Sequence, residues 1–364
     1  MSTPDADFDE NEQNAASSLP SWAREEPNFS WEHVREEREA LSLDDQILFE
    51  QEKFGAIQYG VNETPELIAT SLQQLEEALD TIPEKETYET ALFIDPEYVE
   101  SEEFRLAFLR ADLFNVPAAA RRMVNYWERK LYLFGPEKAF NRSLSILDLK
   151  EEDYIALGLG AIQLIPHLDE AGRGLIFKQV KYFSSTADSM HRLDWYVYHI
   201  GVFGGEHSVE IQKNGFVNLG LFDKSFAPFE SISEMRKYIK GLKHDTQLVL
   251  PMRGPMGLHF FASNNWAFSM VESVLDLFNK RLRSRLTMYD VSEEETETNM
   301  VDLSLCGIRR EIVPAVLGGY LDTNFQEFLT HRLKKELVMA GVDLEANPHW
   351  EKELPFQIRA LLKI

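Results

Sequence analysis

A change of hydrophobic period divides the chain at Gly172-Arg173-Gly174. Before it, apolar residues recur at helical spacing; after it, short β-type runs alternate with helical stretches, which calls for a helical lobe followed by an α/β lobe. The run 65–79 keeps helical spacing behind a proline suited to a first turn. Ser101 is a candidate N-cap for a helix with Phe104, Phe108 and Leu109 on one face. Val116-Pro117 starts another helix, which ends at Phe134-Gly135-Pro136, where glycine can take a left-handed cap and proline blocks continuation. One more starts near Glu151. Beyond the divide, residues 175–183, 216–222, 246–250 and 257–263 read as strands, and 188–202 and 233–241 as helices. Residues 268–288 read as one amphipathic helix with Val271, Val274, Leu275, Phe278, Leu282 and Leu286 on a single face. The expected organisation is an acidic disordered tail over 1–30, a helical lobe over 31–140, an α/β lobe with a mixed, largely parallel sheet over 141–320, and a helical extension over 321–364.

Charge follows the same division. Of 61 acidic and 37 basic side chains, 28 acidic and 5 basic fall in residues 1–103, so the body is close to neutral although the whole chain carries −24. A neutral body argues against a nucleic-acid reader. The acidic tail has two readings: a solubilising extension, or an arm resting on a basic entrance until an anionic surface displaces it. Cys306, the single cysteine, cannot form an intramolecular disulfide, and the first residues lack the basic start and apolar stretch of a secretory signal. A reducing, cytoplasmic setting is expected, with no membrane-spanning segment.

Signatures of catalysis are missing. There is no G-x-x-x-x-G-K-[ST], no G-x-G-x-x-G after a strand, no G-x-S-x-G and no H-E-x-x-H. His191, His199 and His207 recur every eight residues, which does not put them on one helical face as chelating pairs would be. No enzyme activity, metal or cofactor is expected. Two features remain. The helix expected over 268–288 ends in Lys280, Arg281, Arg283 and Arg285. Those cations either complement a helix C-terminus and cover apolar surface with their stems, or they make the helix a lid that closes over a cavity and rests on an anionic bilayer. The other feature is residues 250–261, where two prolines and two glycines lead into a strand carrying His259 between Leu258 and Phe260. Taken alone, His259 reads more readily as a satisfied core histidine than as a ligand contact.

In order along the chain, these segments resemble the CRAL-TRIO domain family, which includes phosphatidylinositol, tocopherol and retinaldehyde carriers. Phe108-Leu-Arg-Ala-Asp-Leu-Phe-Asn-Val-Pro-Ala-Ala119 is similar to the family's F-L-R-A-x-x-F-x-V-x-x-A motif. Asp169-Glu-Ala-Gly-Arg-Gly-Leu-Ile-Phe resembles its D-x-x-G-R stretch, residues 251–261 its Y-P-E-R-x-x-x-I strand, and Ile312-Val-Pro-Ala-Val-Leu-Gly-Gly319 its closing L-P-x-x-x-G-G. Leu250 stands where the family has tyrosine, and Met252 where it has glutamate.

The resemblance implies a hydrophobic cavity floored by the sheet and gated by one helix. It also implies non-enzymatic binding and intermembrane transfer or presentation of a small hydrophobic ligand or phospholipid, a phosphoinositide-type lipid being favoured. Leu175, Phe177, Phe216, Leu248, Leu258 and Phe260 are expected on the sheet-side wall, and Val271, Leu275 and Phe278 on the lid. Arg253, His259, Arg281 and Arg285 are the candidate head-group contacts, arginine suiting phosphate because its planar fork donates two hydrogen bonds. The expected partners are the lipid, a transient anionic membrane surface with peripheral association, and a regulatory protein. The alternative is an interaction scaffold that keeps the fold with a vestigial cavity.

Overall fold

A computed structural model describes residues 30–55, 61–222, 229–262, 265–322, 325–339, 341–346, 349–354 and 358–360. The expected acidic tail lies outside the described residues except for Ser30. Among the described residues two helices come first, α1 (Trp31–Glu39) and α2 (Leu43–Phe54). Ser30 and Ser42 cap them by accepting from the backbone N–H groups of His33 and Asp45. Gly55 ends α2 at φ 65°, and a Cβ there would fall 2.4 Å from Cβ of Ala171, so no larger residue fits.

The helical part continues as α3 (Pro65–Asp80), α4 (Glu86–Ile94), α5 (Glu102–Ala111) and α6 (Val116–Phe134). Two local signals act as expected, the hydroxyls of Thr64 and Ser101 accepting from Leu67 and Phe104, while Gly135 stops α6 at φ 74° and ψ 171°, a glycine-only conformation in place of the expected left-handed cap. Between α5 and α6, Leu113 and Phe114 turn the chain at φ 53° and 62°, a left-handed conformation that costs about 1–2 kcal/mol per residue without glycine. The turn brings α6 back onto α3 and α5.

One core joins this part to the rest. Phe104 stacks on Phe203 with ring centroids 5.6 Å apart, and Tyr126 on Trp195 at 5.3 Å. Arginines of the helical part reach across as well: Arg110 to Gln212, Arg122 to the carbonyls of Gln247 and Leu250, and Arg129 to Asp245.

After α7 (Glu151–Gly158) come five strands, β1 (Ile162–Leu164), β2 (Gly174–Gln179), β3 (Phe216–Phe222), β4 (Gly257–Ala262) and β5 (Leu286–Asp290). They form one mixed sheet in sequence order, β1 antiparallel to β2 and the remainder parallel. The parallel strands are joined through α8 (Ala187–His199) and α9 (Ser208–Asn214), then α10 (Ile232–His244), then α11 (Asn265–Glu272) and α12 (Lys280–Ser284). Helix α13 (Thr296–Leu305) and residues 306–321 cover one sheet face; α8, α10 and α11 cover the other. Helix α14 (Phe325–Met339), which the sequence predicts over 324–340, is anchored by Glu336, which accepts from Tyr196, Ser145 and the N–H of Ile146.

Two expectations are corrected. Residues 246–250 are not a strand: Asp245–Val249 is a π-helical turn that prolongs α10. Arg129 and Trp195 fix the Asp245 carboxylate, and the Thr246 hydroxyl donates back to Leu242, so the chain stays coiled despite its β-prone residues. Residues 268–288 are not one helix either. Helix α11 ends at Glu272, Phe278 is extended at ψ 140°, Asn279 caps α12 by accepting from Leu282, and the chain leaves α12 as β5. Arg283 donates to the carbonyls of Leu275 and Phe278, satisfying groups that the break frees.

Candidate functional site

Strand pleating assigns alternate residues to opposite faces. The pairing of Ile176 with Asn218, Asn218 with Leu258 and Leu258 with Leu286 defines one face; Lys178, Gly220, Phe260 and Met288 continue it. Over this face lies a cavity of about 100 Å³. Its floor is Lys178, Asn218, Gly220, Phe222, Leu258 and Phe260. Met235, Tyr238, Ile239 and Leu242 of α10 make one wall; Met270 and Val271 of α11, with Val274 and Phe278 beyond it, make the other. A Cβ on Gly220 would lie 2.9 Å from the Phe260 ring, so glycine at the middle of the floor keeps space that any side chain would fill.

Of the expected cavity residues, the fold brings together Leu258, Phe260, Val271 and Phe278. Leu275 is buried beside them with Val34, Leu258, Val271 and Leu286. The remaining expectations are corrected. Leu175 and Phe177 point to the opposite face and pack with Val217, Phe261 and the 300–317 segment, because strand parity puts odd residues of β2 there. Phe216 lies one pleat short of the cavity, its ring against Tyr198 at 5.1 Å and filling the space left by Gly174 and Gly201. Leu248 sits on the π-helical turn and is 54% exposed. His259 also points to the far face, where its Nδ1 is 2.9 Å from the Tyr289 hydroxyl. Burial, with Arg173 and Lys53 nearby, pushes its pKa down to about 3, so it is neutral at ordinary pH.

The candidate head-group arginines gather elsewhere, at the edge of the sheet where β4 and β5 begin. Arg285 and Arg281 both pair with the Glu52 carboxylate of α2, and Arg253 stands 4.0 Å from it. Arg285 is buried, which lowers its pKa to about 10, and it also donates to the carbonyl of Pro255. Alongside, Arg283 forks onto Glu37 at 2.6 and 2.7 Å, holding that carboxyl below its ordinary pKa. Arg38 of α1 donates to the carbonyls of Ser284 and Leu286, and the N–H of Trp31 to Glu272. Helices α1 and α2 therefore form a strap across α11 and α12, with two acidic residues on the basic end of α12. An adjoining polar pocket is lined by Arg122, Arg253, Arg281 and Arg285.

Sequence reasoning missed the strap and the cavity wall on α10. The strap is encoded only as acidic and basic residues more than two hundred positions apart, a pairing that no local period reveals. The α10 wall was legible as a helix, and its Met235, Ile239 and Leu242 repeat at helical spacing, but nothing in that repeat says which sheet face it covers. Among the described residues no cluster of three His, Cys, Asp or Glu side chains is placed to hold a metal, and no helix is long and apolar enough to cross a membrane. Cys306 is buried, and burial raises its thiol pKa, away from the reactive thiolate. Comparison with protein-family models and with curated proteins finds no match for the chain.

Proposed function

We propose that this protein is a non-enzymatic carrier that holds a small hydrophobic ligand or lipid over the sheet and transfers or presents it at a membrane, in the manner of the CRAL-TRIO domains its motifs resemble. The observation that carries this reading is the cavity between β2–β4, α10 and α11, whose lining is almost wholly apolar. Desolvation there favours an alkyl or isoprenoid chain by about 0.8 kcal/mol per methylene, with no covalent chemistry needed. Helix α11 and the turn after it act as the gate, fastened to the α10 wall through the partly exposed Arg236–Asp276 pair. The arginine cluster meets an anionic surface or head group, a phosphoinositide being favoured, and the protein associates peripherally with membranes from the cytoplasm. Native mass spectrometry of the purified full chain, with solvent extraction, tests the reading. A stoichiometric hydrophobic adduct supports carriage and identifies a ligand class. A ligand-free protein whose cavity also rejects a broad lipid panel overturns it in favour of an interaction scaffold with a closed cavity, for which the five phenylalanine rings in the lining supply the material.

A further inference from the structure

The cavity has a polar pole, and its hydrogen bonds are unevenly used. Lys178 on β2 and Asn218 on β3 share the floor, and Tyr238 of α10 faces them from the wall. The Lys178 ammonium donates to Asp194 Oδ1 at 2.6 Å and to the Tyr238 hydroxyl at 3.0 Å, while that hydroxyl donates to Asp194 Oδ2 at 2.8 Å. Asn218 Oδ1 accepts from the Tyr198 hydroxyl at 3.1 Å. Both Asp194 oxygens and the Asn218 carbonyl are thus engaged. The donors are not: an ammonium carries three N–H groups, of which two are used, and the Asn218 amide nitrogen finds no acceptor among the described residues. Lys178, Asn218 and Tyr238 are all buried and all line the cavity, so whatever enters it meets these donors.

Spare donors with occupied acceptors select an oxygen acceptor. Charge narrows the choice further. Lys178 and Asp194 cancel each other as a buried pair, so a carboxylate in the cavity would bring an uncompensated negative charge into an apolar enclosure. A pure hydrocarbon would leave the Asn218 N–H groups dry. Resting on the carrier reading above, we propose that the cavity takes an uncharged apolar molecule bearing one oxygen acceptor, a ketone, aldehyde or ester carbonyl, seated against Lys178 and Asn218.

The test uses the full chain and three probes of equal chain length, a methyl ketone, the alkane and the fatty carboxylate, each displacing a polarity-sensitive fluorophore. The expected result is that the ketone binds at least about tenfold more tightly than either of the others, the size of effect that an unpaired buried donor produces. The carbonyl stretch of the bound ketone should move to lower frequency, and Asn218→Leu should reverse that move and bring ketone affinity toward that of the alkane. Equal affinities for the three probes, or tightest binding of the carboxylate, overturn the assignment of the acceptor while leaving carriage standing. If none of the three displaces the fluorophore, carriage and the acceptor site fail together. Should Asn218→Leu not fold, the comparison of probes on the unaltered chain decides alone.

Discussion

Lys130 is fully buried in α6, its ammonium donating to the carbonyl of Asn141 at 2.6 Å and lying 5.0 Å from the Trp127 ring centre. Burial pulls its pKa down to about 7, against an ordinary value of 10.5. Between those values the unfolded chain binds the extra proton, so this residue makes stability rise as pH increases from about 7 toward 10.5, its penalty being complete below that window. Lys130→Met should flatten that part of a pH series of urea midpoints. His191 and His259 act at the acid end. Burial holds them down to about 4 and about 3, so the unfolded state takes up protons first, and stability should fall as pH drops from 6.5 toward those values. Tyr289→Phe removes the hydroxyl beside His259 Nδ1 but leaves the ring buried, so most of the acid loss attributable to that histidine should persist. At this scale the sequence was informative wherever a residue acts on its own neighbours: Thr64, Ser101 and Gly135 do what their types imply. It was silent on Lys130, whose burial depends on helices that close around it.

Elements were legible where period and boundary agree, and misleading where two periods coincide. Strands β2, β3 and β4 and helices α3, α5, α6 and α14 follow from the sequence within a few residues. Leu286, by contrast, fits the end of a helical stripe and the start of a strand face equally well, and only the open edge of β4 decides between them. Asn279 marks the switch, being the residue type that caps a new helix. Asn279→Ala should cost about 1 kcal/mol of stability, read from chemical denaturation. The break also defines how the proposed gate is fastened. Arg236 of α10 forks onto Asp276 at 2.6 and 3.0 Å, closing the cavity from α10 to the turn after α11. This pair is about one-third exposed and contributes little to global stability. Asp276→Ala should therefore speed ligand exchange severalfold, measured by stopped-flow release of a fluorescent lipid, with a melting temperature nearly unchanged. On the cavity floor, Gly220→Val should displace Phe260 and lower ligand capacity, so the same release assay starts from a smaller loaded fraction.

For the whole molecule, the acidic N-terminal region and the neutral body are not independent. The sequence shows the imbalance but not its use: Glu37 and Glu52 lie on the strap, with their cationic partners in α12. Arg285 is consequently part of the structure as well as a candidate contact. Arg285→Ala leaves Glu52 buried with less compensation and should destabilise the protein by about 3 kcal/mol or more, as does breaking other buried pairs. Glu52→Gln in a Glu37→Gln background is the informative variant. It should raise co-sedimentation with anionic vesicles relative to the unaltered chain, an effect that high salt reduces. Unchanged sedimentation would mean that the strap is a fixed part of the fold and that the arginines serve only to hold it.

The placement of Arg285 has one more consequence. The carbonyl of Arg285 accepts from the N–H of Leu258, a residue of the cavity floor, and the next residue, Leu286, pairs with Leu258 in the sheet. Strap and cavity thus share a boundary one residue wide. If an anionic surface loosens the strap and thereby weakens the hold on cargo, thermodynamic reciprocity requires loaded protein to bind that surface more weakly than empty protein, by the same factor. Delivery would then leave the emptied protein attached, and reloading would be what sets it free.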